Sequence, residues 1–310
     1  MSQANILTWV PTFQNIPHQS QASKIEQQSA LQLCLQAINK YSSYNNNQPK
    51  NIIITGLPGT GKSYLMQMAA TYAISKGLNV VVTALLSDRA VALGGIHVHL
   101  LFKIPVTSYK ASVQRMAELA IIKLHKNPKH LCHLKSIDVI CCDESGQISS
   151  EMWSVIDIIL RTVKNTSLYL GGVLLISSMD PEQLKPIQGR PFLMSPLILT
   201  SFSVAMLDHS VRAIADPMLQ KLNMIACKPN QTKDELDEFE NIIKYHCKHV
   251  DNWHSNQIRP DMLRVFGKRK ATEVAEKRFF KNIKENRDII HFIRISDDIQ
   301  TSVASHGNWV

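Results

Sequence analysis

Short apolar runs alternate along the chain with longer segments in which apolar residues recur at helical spacing. Runs typical of buried strands lie at 51–55, 78–84, 137–142, 168–178 and 204–207. Helical spacing predicts amphipathic helices at 24–40, after the glycine-rich segment near residue 61, at about 110–125 and at about 148–163. Apolar strands that alternate with amphipathic helices indicate an α/β fold, with a parallel sheet that helices cover on both faces.

Changes in composition divide the chain into three predicted parts. Residues 1–22 are polar and rich in glutamine, which predicts a loose N-terminal arm. Residues 23–225 carry the strand and helix alternation and form the main lobe. Residues 226–310 open with a linker-like stretch and a charged helix, and then show a strand, a basic helix and another strand, so they are predicted to begin a second, incomplete α/β lobe.

Composition excludes several classes of protein. The chain has 310 residues, of which 45% are hydrophobic and 19% are charged, so it is long and apolar enough to bury a substantial core. It contains no apolar run of about 20 residues, which argues against a membrane partner. Its N-terminus lacks the pattern of a secretory signal, and its six cysteines do not form a disulfide framework. These features favour a reducing, intracellular compartment.

The charge balance points to an anionic partner without identifying it. Lysine and arginine number 34 against 25 acidic residues, a net charge of +9. An excess of this sign is typical of nucleic-acid-binding proteins, but a soluble protein with many surface lysines has the same balance. Composition alone does not decide between the two.

The segment GLPGTGKS matches the phosphate-loop pattern G-x-x-x-x-G-K-[ST] at every position, and it lies between a predicted strand and a predicted helix. Glycines allow backbone N–H groups to surround a phosphate, and the helix adds the positive end of its dipole. Lys62 is expected to reach the β- and γ-phosphates, and Ser63 to ligate Mg²⁺. The predicted ligands are ATP and Mg²⁺, and the predicted nucleotide-binding residues are Gly56, Leu57, Pro58, Gly59, Thr60, Gly61, Lys62 and Ser63.

Two adjacent acids follow the predicted strand at 137–142. Asp143 is expected to hold Mg²⁺, and Glu144 to orient and deprotonate the attacking water. Capping of the following helix is the alternative role for both residues.

Five motifs in order resemble superfamily 1 DNA helicases of the RecD/Pif-like group, over roughly residues 20–295. They are KIEQQSALQLCLQAI before the phosphate loop, TALLSDRAVALGGIHVHLLF (83–102), DESGQIS (143–149), GGVLLISSMDPEQLKPIQG (171–189) and HSVRAIADPMLQKL (209–222). The resemblance implies a RecA-like lobe that couples ATP hydrolysis to 5′-to-3′ movement on single-stranded DNA. The processes it implies are DNA replication, repair, recombination or telomere maintenance.

The resemblance also implies roles for individual residues. Gln27 or Gln28 corresponds to an adenine-reading glutamine. Gln183 would link the γ-phosphate to the DNA-facing loop, and Arg212 would neutralise charge on the transferred phosphoryl group. The implied DNA-contacting residues are Thr83, His99 and Phe102.

Two clusters leave their function open. Basic residues outnumber acidic ones in 101–135 and again near 268–284, which indicates either a DNA groove or a solvated surface. His246, Cys247, His249 and His254 lack the spacing of a zinc site, so zinc is not predicted.

The later motifs of the family's second lobe do not occur before Val310. The remainder of the motor is therefore expected in a longer chain or a second chain, and a nuclear location is expected if the source is eukaryotic or a nucleus-replicating element. A nucleotide-binding regulatory or scaffold protein that does not unwind DNA is the alternative. A ring-forming P-loop ATPase is a weaker one, because no helical lid follows the predicted sheet.

Overall fold

The computed structural model describes residues 19–43, 49–105, 111–181, 183, 185–195, 197–212, 214, 216–228 and 230–246. By internal packing the chain divides into two units, Met1–Ile243 and Lys244–Val310, and nearly all of the described residues belong to the first. The domain boundaries at 22–23 and 225–226 remain predictions. No helix among these residues is long and apolar enough to cross a bilayer.

The described residues form strands and helices in alternation. The strands are β1 (Asn51–Gly56), β2 (Val80–Ala84), β3 (Ile96–His97), β4 (Val139–Asp143), β5 (Leu174–Met179) and β6 (Phe202–Leu207). The helices are α1 (Gln21–Ser43), α2 (Lys62–Ser75), α3 (Ser87–Ala92), α4 (Val98–Leu101), α5 (Val113–His125), α6 (Pro128–Ser136), α7 (Ser150–Lys164), α8 (Leu197–Ser201), α9 (Pro217–Ala226) and α10 (Lys233–His246).

The six strands form one sheet in the order β3-β2-β4-β5-β1-β6. Every pairing between neighbours is parallel, as in the register Ile53↔Ser177 between β1 and β5 and Cys141↔Ile176 between β4 and β5. The predicted α/β fold with a parallel sheet is therefore confirmed. Because all strands run the same way, the segments that follow β1, β4 and β5 emerge at one edge of the sheet.

Strand periodicity divides the core between the two faces of the sheet. In β1, Ile52 and Ile54 pack with α1 and α2, whereas Ile53 points to the opposite face, which α5 and α7 cover. In β4, Cys141 lies on the face that α1 and α2 cover, and Cys142 lies on the opposite face. All five of these β1 and β4 side chains are buried, which is why the two strands read as continuous apolar runs and not as an alternation of apolar and polar residues.

The strand predicted at 168–178 is shorter in the structure than predicted. It begins only at Leu174, because residues 169–172 form a 3₁₀ turn instead. Leu170 and Gly171 adopt left-handed backbone angles there, with φ of 52° and 66°. A backbone carbonyl of α7 lies close to Gly171, so that a Cβ at this position would be 2.7 Å from Leu160 O. The glycine pair thus permits a tight turn before the strand.

Several short elements carried too weak a periodic pattern to be predicted. Helices α3 and α4 have six and four residues, and β3 has two. Other predictions lie outside the described residues. They concern most of the N-terminal arm, the histidine and cysteine cluster beyond residue 246 for which zinc was not predicted, and the second-lobe elements at 263–295.

The mutation Ile53→Ala tests whether β1 is the centre of the core. Ile53 is 0% exposed, so its truncation leaves a cavity between the sheet and α7. The free energy of unfolding should fall by about 2–5 kcal/mol in urea denaturation. Ile187→Ala removes the same atoms from a fully exposed position and should change it by less than about 0.5 kcal/mol. Equal effects of the two mutations would contradict the assignment.

Candidate nucleotide-binding and catalytic site

The phosphate loop connects the end of β1 to the start of α2. Gly61 precedes the helix in a left-handed conformation (φ 93°), and no side chain caps the first N–H groups of α2. Two hydrogen bonds stabilise the loop. Thr60 Oγ1 donates to Leu57 O within the loop (2.9 Å), and Leu57 N donates to Leu207 O at the end of β6 (3.2 Å). Uncapped N–H groups at the start of a long helix suit an anionic ligand.

Lys62 extends back over this loop. Its Nζ donates to Gly56 O (2.7 Å) and Leu57 O (2.8 Å), and lies 3.5 Å from Asp180 Oδ2 at the end of β5. Burial lowers the pKa of Lys62, whereas the nearby Asp180 carboxylate acts in the opposite direction. The ammonium group is thus held at the mouth of the loop by carbonyl groups and one carboxylate.

Asp143 lies at the end of β4 and its side chain is fully buried. Its Oδ1 accepts a hydrogen bond from Ser63 Oγ (2.8 Å) and another from Ser178 Oγ. Its Oδ2 accepts from Arg89 Nε at 2.7 Å. The predicted Mg²⁺ ligands Ser63 and Asp143 are therefore in direct contact, although 80 residues separate them in sequence.

Glu144 adopts a left-handed conformation (φ 53°, ψ 40°), which is uncommon for a residue with a side chain. Its N–H donates to Ser178 Oγ (3.1 Å), and its Oε2 accepts from Gln147 Nε2 (3.2 Å). The backbone turn sends the Glu144 and Asp143 side chains to different positions of one cleft. Both acids line the cleft, and the side chain that caps α7 is that of Ser149 and not that of either acid.

The cleft has a volume of about 340 Å³ and brings together residues from five segments of the chain. In the segment after β5, Gln183 Nε2 donates to Asp180 Oδ2 (3.0 Å), and Asp180 in turn is paired with Lys62. Arg212 lies across the phosphate loop, where Arg212 N donates to Gly59 O at 3.1 Å. The predicted residues that line it are Pro58, Gly59, Gly61, Lys62, Ser63, Asp143, Glu144, Gln183 and Arg212.

The structure distinguishes between the two candidate glutamines. Gln27 is 3% exposed and its Nε2 donates to Thr60 O in the phosphate loop (2.8 Å), whereas Gln28 is exposed. The neighbouring Glu26 accepts hydrogen bonds from the backbone N–H groups of Asp208 and His209 (3.0 and 3.2 Å). Helix α1 is thereby fastened to both the phosphate loop and the segment that carries Arg212.

The three candidate DNA-contacting residues lie in different surroundings. Thr83 is 1% exposed and its Oγ1 donates to Ile96 O (2.6 Å), and Phe102 is 1% exposed within the core. His99 is half-buried, stacks on His97 with ring centroids 5.5 Å apart, and has its pKa lowered by burial. Of the three side chains, only His99 offers a partly exposed ring.

Two cleft residues that contact Asp143 were not predicted from the sequence. Ser178 hydrogen-bonds both Asp143 and the backbone of Glu144. Arg89 bonds Asp143 and also donates from Nη2 to Ser63 Oγ (2.8 Å). Arg89 lies within the quoted segment 83–102, but its own residue type carried no pattern that linked it to the phosphate loop.

The residues present fit a magnesium-bound nucleotide. Gly59 and Gly61 leave a cradle that side chains would fill, since added Cβ atoms would lie 2.7 Å from Arg212 Cβ and from Gln27 Nε2 respectively. The buried hydroxyl of Ser210 beside this cradle has no hydrogen-bond partner among the described atoms. Ser63 and Asp143 offer the hard oxygen ligands that Mg²⁺ prefers alongside phosphate oxygens.

Residues 24–248, well over half of the chain, match the family model described as PIF1-like helicase. The chain belongs to the PIF1-like helicase family. The resemblance drawn from the five motifs is thereby confirmed.

Named relatives in the family share limited identity with this chain. ATP-dependent DNA helicase PIF1 of Saccharomyces cerevisiae is 26% identical over 194 residues, which cover 60% of this chain and 22% of the yeast protein. ATP-dependent DNA helicase PIF4 of Trypanosoma brucei brucei is 33% identical over 135 residues, which cover 43% of this chain and 16% of the other. The matched segment therefore spans about a fifth of each of these two relatives.

Solved structures share the fold. The Pif1 helicase of Candida albicans superposes with a TM-score of 0.58 at 20% identity, over 74% of this chain and 47% of that one. A Pif1 helicase studied for unwinding at forked double-stranded DNA superposes with a TM-score of 0.53 at 23% identity, over 67% and 50% of the two chains. The sheet described above is thus the RecA-like sheet of this family.

The pair Gly59→Ala and Gly77→Ala tests the cradle. Both glycines have φ of +78°, so both substitutions should lower the free energy of unfolding by about 1–2 kcal/mol through backbone strain. Only at Gly59 would the new Cβ meet neighbours, whereas nothing lies within 4 Å at Gly77. Gly59→Ala should therefore weaken binding of a fluorescent ADP analogue at least about tenfold, and Gly77→Ala should leave it within about twofold. Equal losses of nucleotide affinity in the two variants would indicate that reduced stability, and not the cradle, weakens binding.

Proposed function

We propose that this chain is the ATP-binding lobe of a DNA helicase, in which ATP hydrolysis drives 5′-to-3′ movement along single-stranded DNA and the unwinding of duplex. One observation carries the proposal: Lys62, Ser63, Asp143, Gln183 and Arg212 converge on a single cleft at one edge of the sheet. Singly, each has an ordinary structural role. Together, at the end of a phosphate loop in this family, they form the set that phosphoryl transfer needs.

The chemistry follows from the positions of charge. Lys62 and Arg212 both present positive charge to the cleft beside the phosphate loop, where the β- and γ-phosphates of ATP would lie. Ser63 and Asp143 would hold Mg²⁺, which supplies further neutralisation of the phosphate charge. Glu144 points into the same cleft from a strained backbone and is the residue to orient and deprotonate water.

Coupling to DNA would pass through the ends of β5 and β2. Gln183 is exposed and is tied to Asp180, so it would sense the state of Lys62 and the γ-phosphate. His97 ends β3, beside the end of β2, and His99 follows it in α4. Both are partly exposed within the predicted DNA-contacting segment 83–102. Exposed lysines on α5 and α6, with the connection between them, add positive charge: Lys123, Lys126, Lys129 and Lys135.

The proposal includes a partner that completes the motor. The relatives named as DNA helicases are several times longer than the matched segment. The remainder of the motor would come from a longer chain or a second chain, in an intracellular compartment that holds DNA, such as a nucleus. The processes that it would serve are DNA replication, repair, recombination or telomere maintenance.

A second function, that of a nucleotide-binding regulator or scaffold which does not unwind DNA, is favoured by one contact. Arg89 pairs with Asp143 and lies 3.7 Å from Glu144, so a cation of the protein itself neutralises both acids. A protein that keeps this pairing would bind nucleotide without turning it over.

ATP hydrolysis by the 310-residue chain, with and without single-stranded oligonucleotide, distinguishes the two functions. The helicase proposal expects DNA to stimulate hydrolysis. Lys62→Ala should weaken nucleotide binding and hydrolysis, since it removes the phosphate-facing charge. Glu144→Gln should reduce turnover by about 100-fold or more while nucleotide still binds, since only the general base is lost.

Lys76→Ala is the matched control, because Lys76 is an exposed lysine at the end of the same helix α2 and should change neither quantity. Nucleotide binding without DNA-stimulated turnover would reject helicase action by this chain alone and favour the regulator. Turnover that survives both Lys62→Ala and Glu144→Gln would mean that another site is responsible.

A further inference from the structure

Arg89 projects into the cleft from α3, a helix that no phosphate-binding motif includes. Its Nε lies 2.7 Å from Asp143 Oδ2, and its Nη2 lies 2.8 Å from Ser63 Oγ. The side chain is 38% exposed, whereas that of Asp143 is 0% exposed. The guanidinium group thus reaches inward from the rim and ends on a buried carboxylate.

The oxygen atoms that Arg89 contacts are those that suit a divalent cation. Ser63 and Asp143 are the predicted Mg²⁺ ligands, and Glu144 Oε1 lies 3.7 Å from Arg89 Nε. A guanidinium has only donors and no acceptor, so each of these contacts is one that a metal ion could make instead. Mg²⁺ binds oxygen at about 2.1 Å and requires near-octahedral geometry, so it cannot share Ser63 Oγ and the Asp143 carboxylate with a guanidinium in this position.

We propose that Arg89 is an internal cation that competes with Mg²⁺ for Ser63 and Asp143, and that it must leave them when a magnesium-bound nucleotide enters. The inference rests on the proposed nucleotide site. Buried carboxylates are stable only when they are paired, and Arg89 provides that pairing when Mg²⁺ is not bound. The side chain is long and partly exposed, so the outward movement that the proposal requires leads towards solvent.

Competition has a thermodynamic signature. Mg²⁺ has to displace Arg89, so the apparent affinity for Mg²⁺ in the wild-type protein is reduced by the stability of the Arg89–Asp143 pair. The same positive charge favours metal-free nucleotide, because it offsets phosphate charge in the cleft. The degree to which Mg²⁺ strengthens nucleotide binding should therefore be smaller in the wild type than in a variant without the guanidinium.

The first test uses Mg²⁺ alone. Thermal unfolding of the full chain is followed with EDTA and with millimolar MgCl₂, for the wild type and for Arg89→Met, which keeps an unbranched side chain but removes the charge. The variant should unfold at a lower temperature in EDTA and regain stability in MgCl₂, whereas the wild type should respond little. Arg115→Ala is the control, since this exposed arginine pairs only with Glu118 among the described residues.

The second test titrates MgCl₂ at a fixed, saturating concentration of fluorescent ADP analogue. The Mg²⁺ concentration at the midpoint of the fluorescence change should be at least tenfold lower in Arg89→Met than in the wild type. The midpoint of Arg89→Lys should lie between these two values, because an ammonium group keeps the charge without the two-pronged contact. Midpoints for Arg89→Met within twofold of the wild type, together with no Mg²⁺ rescue of stability, would overturn the inference. Should Arg89→Met not fold, Arg89→Lys decides, and an unchanged midpoint in it would also overturn the inference.

The two proposals fail differently. A wild-type chain that binds no nucleotide at any Mg²⁺ concentration would reject the proposed function, while the stability test with Mg²⁺ alone would still report on Arg89. A wild-type chain that binds nucleotide normally, with an Mg²⁺ dependence that Arg89→Met does not alter, would reject the inference alone.

Discussion

The buried carboxylate of Asp143 is the interaction on which the arrangement of the cleft depends. A carboxylate without access to water is stable in a folded protein only when its oxygens are hydrogen-bonded or paired with charge. Ser63 from α2, Ser178 from β5 and Arg89 from α3 together provide that compensation. Each of these residues is therefore held at a defined distance from the phosphate loop, and the position of one carboxylate aligns four elements.

The parallel sheet makes this convergence possible. Strands β4, β5 and β1 are neighbours, so Asp143, Asp180 and the phosphate loop emerge side by side although they are far apart in sequence. A second line of contacts runs along the other side of the loop, where Gln27 and Glu26 of α1 fasten to Thr60 and to the segment after β6. The cleft is thus enclosed by groups that also stabilise the fold. Its geometry and the packing of the lobe are consequently linked.

Local patterns were sufficient for much of the fold, because period and motif are properties of neighbouring residues. The apolar runs and the phosphate loop were predicted from such patterns, and the strands β1, β2, β4 and β6 lie where the runs indicated. The glycine pair before β5 was misread as strand, since the left-handed turn at Leu170 depends on close contact with α7. The sequence did not distinguish Gln27 from Gln28, because the alignment of the motif was ambiguous by one residue. Only the structure shows which face of α1 packs against the phosphate loop, and Gln27 lies on that face.

The sequence by itself determined the fold class, the phosphate loop and the family, because each depends on residue types at fixed spacing along the chain. Only the tertiary structure decided that Phe102 lies in the core while His99 keeps a partly exposed ring, and that Arg89 reaches the carboxylate of Asp143. These contacts join residues that are distant in sequence. No local pattern encodes them, because the distance between two side chains is set by how the strands and helices pack and not by their separation along the chain.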